Sequence, residues 1–152
     1  MGPLFWFNVI TRWLHITCAV VGIGAFFFLR LVLMPALTAQ EPGARQALAA
    51  QLAPRLKTLI HSALGLLLLT GFYNYYVAIP KVRTLAYRSL YHPIIGTKIL
   101  LALVLFGIAT ALLSSRSGSG NIGAERSGGL TLILVLAVII LFLSAILRRL
   151  WA

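Results

Sequence analysis

A chain of 152 residues that is 61% hydrophobic and 10% charged is too apolar for a water-soluble domain of its size, which would leave the excess exposed. Its 13 Lys and Arg against two Glu give a net charge of +11, but the cations sit at the ends of apolar runs, where they suit lipid phosphates rather than nucleic acid. One Cys rules out an internal disulfide or a Cys-pair metal site, and Glu41 and Glu125, both between apolar runs, leave no carboxylate for acid–base chemistry inside a membrane.

The chain reads as a single membrane domain, residues 1–152, an all-α integral membrane protein folded as an antiparallel four-helix bundle. Phe5, Trp6 and Phe7 belong at the headgroup level before the first span, 12–34, RWLHITCAVVGIGAFFFLRLVLM. That span is too long for a cleavable leader and is read as retained. Pro35 is expected to end it, because the residue before proline is pushed from helical angles. In the loop 36–57 the run ARQALAAQLA predicts a short interfacial helix, with Pro54 in the first turn of the next helix. The second span is 55–79, left through an aromatic belt of Tyr73, Tyr75 and Tyr76 and followed by Pro80 and a short basic loop. The third is 90–113, with His92 and Pro93 near its start and Lys98 well inside. The Gly- and Ser-rich stretch 114–129 reads as a flexible loop, and the fourth span, 130–147, ends on Arg148 and Arg149.

Four spans put both termini on one side. The two sides carry equal numbers of cations, so the positive-inside rule discriminates little. The compact Lys81–Arg88 loop and the Arg pair abutting span four favour cytoplasmic termini.

Ionisable residues inside spans are functional candidates by default. At about 1.5 Å per residue, His15 and Lys98 come level, roughly 10 Å below the terminal side. Tyr73 and Asn74 approach that depth from span two, and Cys18 lies one turn from His15 on the same face. His92, a further candidate metal ligand, lies one to two turns nearer the surface than Lys98. His61 falls towards the opposite side, near Met34 and on the order of 15 Å from His15, which disfavours one haem held between those two histidines. Two candidate sites follow. In one, His15 and Lys98 hold haem b or copper, supported by Tyr73 and Asn74. In the other, His61 and Met34 suit Cu(I). The alternative is structural: histidines that hydrogen-bond between helices, a snorkelling Lys98, an interfacial His92 and Met34, a Cys18 that fills space, and no cofactor at all. The chain then serves as an accessory subunit of a larger membrane complex. No nucleophile–base pair or phosphate-binding glycine loop is evident, so the residues by themselves do not define an enzyme.

The segments RWLH (12–15), LRLVLMPAL (29–37), RLKTLIH (55–61), LLLLTGFYN (66–74) and LYHPIIGTKILLAL (90–103) resemble the CopD-like proteins, the four-helix domain associated with copper resistance protein D. The resemblance covers nearly the whole chain and implies a four-helix bundle in a bacterial inner membrane, linked to copper uptake. A more distant similarity is to HemJ-type protoporphyrinogen oxidases, which carry a haem-linked His in the first helix and an important Lys in the third. It implies that His15 and Lys98 face a shared haem or porphyrin pocket.

Overall fold

The computed structural model describes residues 2–82, 88–114 and 124–150. The helices are α1 (Pro3–Phe28), a widened π-helical turn (Leu29–Leu33), α2 (Met34–Thr38), α3 (Pro42–Val82), α4 (Arg88–Ser114) and α5 (Ala124–Leu150). Among the described residues there is no strand. Four helical segments are long and apolar enough to cross a bilayer: Pro3–Thr38, Pro42–Pro80, Ser89–Leu113 and Gly128–Arg149. The basic loop at 83–87 and the Gly/Ser stretch at 115–123 lie outside the described residues.

Several boundaries differ from the sequence reading, and proline accounts for two of them. Pro35 does not end the first helix. It has no N–H to return to the carbonyl four residues back, and its ring crowds that carbonyl. The ladder widens instead, the Met34 N–H bonds the Leu29 carbonyl, and Pro35 sits in the first turn of α2, where a missing donor is harmless. The expected loop helix and second span are one 41-residue helix, with Pro54 and Pro80 inside it rather than at its start and end. At about 1.5 Å per residue α3 is roughly 60 Å long, twice the hydrocarbon thickness, so its N-terminal part extends beyond the membrane. The first helix starts at Pro3, and α5 starts at Ala124, inside the stretch expected to be loop.

The helices run alternately up and down. His15 meets Thr70 and Gly22 approaches Ala63, so α1 and α3 are antiparallel. Gly129 approaches Leu112, and Tyr91 clusters with Leu147, so α4 and α5 are antiparallel as well. α1 packs on α3 and α5, and α4 packs on the same two, which places α1 and α4 diagonally opposite.

The interior follows a 3–4 spacing on each helix, the stripe that faces inward in a bundle. Cys18, Gly22 and Phe26 are buried on α1, and Leu130, Ile133, Ala137 and Leu147 on α5. Phe26, Ile60, Leu64, Leu105, Ala109, Leu130, Ile133 and Ala137 form the main apolar cluster, drawn from all four long helices. Small residues at Ala109 and Ala137 let the backbones approach closely, the usual source of helix association in lipid. A second cluster, Tyr91 and Leu147 with Tyr75, Ile94 and Ile95, closes the end of the bundle nearer the termini. Large apolar side chains such as Val20, Leu69, Leu100 and Phe142 point outward, as a lipid-facing surface requires.

At the other end Arg30, in the π-helical turn, donates its Nε–H to Thr131 Oγ1 at 3.2 Å. The bond ties the widened turn to the third turn of α5.

Candidate functional site

Between the two apolar clusters each long helix carries one polar residue on its inward stripe. His15 stands on α1, two turns before Gly22. Thr70 stands on α3, between Leu67 of the main cluster and Tyr75 of the second. Lys98 follows Ile95 by three residues and precedes Leu105 by seven. Ser144 follows Ala137 by seven and precedes Leu147 by three. Each occupies a position on the inward stripe where its helix otherwise places an apolar residue. His15, Lys98 and Ser144 are half-buried and Thr70 is buried.

The hydrogen bonds fix the histidine. Thr70 Oγ1 donates back to the carbonyl of Leu66 at 2.6 Å, sharing its proton with that of Leu67 at 3.2 Å. A hydroxyl has one proton, so its oxygen is left to accept, and His15 Nδ1 lies 3.0 Å away. The Nδ1 nitrogen is therefore the protonated one. Nε2 then carries an in-plane lone pair, the state in which imidazole binds a metal. Gly71 makes room for the ring: a Cβ there would lie 3.1 Å from His15 Cε1.

Replacing Thr70 by Val keeps the shape and removes the acceptor. The expected loss of stability is about 0.5–1.5 kcal/mol, as for other hydrogen bonds between membrane helices. The diagnostic change is a mixture of imidazole tautomers, read from the ring nitrogen shifts. A ring that stays protonated at Nδ1 in Thr70→Val would show that Thr70 does not set it.

Lys98 stands half-buried on α4, the helix diagonally opposite α1.

The other candidates lie elsewhere. Tyr73 does not join His15. Its hydroxyl donates to Asn8 Oδ1 at 2.8 Å, and its ring meets Phe7 edge-on at 5.2 Å. It fastens α3 to the opening turns of α1, because a long side chain one turn past Thr70 reaches towards that end. Asn74 is half-buried, one turn from Thr70 and next to Tyr75. Cys18 is buried one turn from His15 as a free thiol. His92 is exposed, edge-on to Tyr91 at 5.9 Å. His61 donates Nδ1–H to the Lys57 carbonyl at 2.7 Å, within its own helix. The expected depth match between His61 and Met34 is not seen. The pairing of His15 with Thr70 and Gly22 with Ala63 sets His61 level with about residue 24 of α1, roughly 15 Å along the axis from Met34. Met34 instead packs against the main apolar cluster. Among the described residues no three of His, Cys, Asp and Glu come together as a metal-ion site.

Sequence reading passed over Thr70 and Ser144. Their signal was spacing: each is a polar residue seven positions from a buried alanine, Ala63 and Ala137, on the inward stripe. A shallow open depression on the outer face of α3, lined by Pro54, Arg55, Thr58, Leu59 and Ser62, lies at the other end of the bundle from these polar residues.

Comparison with known protein families, curated proteins and solved structures finds no match to this chain.

Proposed function

We propose that the bundle is a membrane-embedded haem-binding protein of the CopD-like kind, with His15 as an axial ligand of the iron. The observation that supports this reading is the 3.0 Å contact of His15 Nδ1 with Thr70 Oγ1, whose own proton goes to the Leu66 carbonyl; that arrangement favours the proton on Nδ1 and leaves the Nε2 lone pair free to ligate iron. The donor set favours haem over a bare metal ion. Copper or zinc needs several protein ligands, and no trio of His, Cys, Asp and Glu assembles among the described residues. A porphyrin brings four nitrogens of its own and needs one or two from the protein. When bound, haem supplies one-electron redox chemistry. The protein's part is to orient the imidazole through Thr70 and Gly71 and to keep water out with the Tyr91–Leu147 cluster above and the Phe26 cluster below. The inward polar residues near the termini, with Arg148 and Arg149 beyond them, fit cytoplasmic termini in a bacterial inner membrane.

The test is the visible spectrum and metal content of the full chain, purified in mild detergent and then titrated with haem. A Soret band that saturates at one haem per chain is the expected result. A chain that stays colourless in excess haem, carries no metal and runs with larger membrane proteins would overturn the reading in favour of a cofactor-free accessory subunit. Turnover of protoporphyrinogen by the haem-loaded chain would extend the reading to a HemJ-like oxidase.

A further inference from the structure

Among the described residues no acidic side chain lies within the four apolar segments, although Lys98 stands inside one of them. Lys98 stands on the inward stripe of α4, between Ile95 and Leu105. The Tyr91, Ile94, Ile95 and Leu147 cluster closes the bundle between it and the nearer end, obstructing an escape to water along the interior. The chain has only two acidic side chains. Glu41 precedes α3 and is exposed, and Glu125 precedes the apolar segment Gly128–Arg149. None of the four apolar segments therefore offers a counter-ion. His15 is itself basic and cannot serve as an anion. Ser144, on the facing stripe of α5, commits its proton to the Ile140 carbonyl at 2.7 Å and has only oxygen lone pairs to offer. A cation without a partner, even half-buried, is poorly tolerated in a low-dielectric interior.

We infer that Lys98 is the counter-ion for a carboxylate on an amphipathic, membrane-borne ligand, and that with a porphyrin it binds a propionate rather than the iron. The inference rests on the haem reading and gives Lys98 a different role from that of a second axial ligand. The ligand class is a flat apolar body with an acidic edge. The apolar body suits the neighbouring clusters, and the acid supplies the charge that the chain withholds. Haem and free-base porphyrin share this chemistry, and iron distinguishes them.

The experiment titrates full-length protein in detergent with haem, protoporphyrin and haem dimethyl ester, for the wild type, Lys98→Arg and Lys98→Met. Arginine keeps the charge but cannot ligate iron, whereas methionine can ligate iron but has no charge. The expected result is that Lys98→Met weakens haem and protoporphyrin by about tenfold or more, while Lys98→Arg stays within about threefold of wild type. The ester, without a carboxylate, binds wild type and Lys98→Met alike, and the haem spectrum keeps its spin state in both variants. A spectrum that changes in Lys98→Arg, with ester binding as sensitive to Lys98 as haem binding, would overturn the inference and make Lys98 an iron ligand. Equal haem binding by all three proteins would also overturn it. If no porphyrin binds the wild type, both this inference and the haem reading fall. Lys98→Gln, polar and uncharged though one atom shorter, separates lost charge from lost folding, with helix content and detergent elution volume as controls.

Discussion

His15→Ala removes bound haem altogether: no Soret band forms at haem concentrations that saturate the wild type. The effect is expected to be large because the imidazole is the bond to iron, and its surroundings hold no second histidine to take over. Thr70, which touches His15, is nine residues from His61 on α3, about 13 Å along the helix, and the His61 Nδ1–H is spent on Lys57. His92 is exposed beside Tyr91. His61→Ala and His92→Ala should therefore bind haem as the wild type does. Free-base protoporphyrin makes no iron bond, so its affinity should be far less sensitive to His15→Ala than that of haem. Loss of the Soret band in His61→Ala or His92→Ala, with His15→Ala retaining it, would place the ligand elsewhere.

Phe26→Ala is expected to destabilise the bundle by about 2–4 kcal/mol, the lower part of the range for large-to-small core changes. Phe26 is 1% exposed and packs among residues from all four long helices. The reduction follows from the solvent. Separated helices would meet lipid tails as apolar as the core, so the hydrophobic transfer contribution is small and lost packing dominates. Phe142 is the internal control. It is 66% exposed on the lipid side of α5, and Phe142→Ala should change stability by less than about 0.5 kcal/mol. Unfolding by denaturing detergent measures both. Equal losses would show that Phe26 is not the packing centre shared by the helices.

The inward polar residues also explain why a bundle this apolar keeps one register. A helix sliding by one turn would carry His15 or Lys98 into an apolar cluster and leave Thr70 facing a methyl group. Polar residues on an inward stripe are well-attested devices for fixing register. Here one such residue stands on the inward stripe of each of the four long helices, and neither apolar cluster holds any of them.

The sequence by itself determined the class of molecule. Four apolar runs, each long enough to cross a bilayer and flanked by cations, leave few soluble alternatives, because helices satisfy every backbone group internally. It also carried the expectation that His15 and Lys98 lie level, since helical rise turns residue number into depth. Helix limits were less legible. Whether a proline stops a helix depends on whether neighbouring turns can widen or do without one bond, as at Pro35 and Pro54. Only the tertiary structure decided which polar side chains meet. Depth fixes one coordinate, but rotation about each axis and the order of helices around the bundle fix the other two. Those depend on the fit of Gly22 to Ala63 and of Gly71 to the His15 ring, which no single-helix periodicity encodes. That is why Thr70 rather than Tyr73 became the partner of His15, and why Met34 parted from His61.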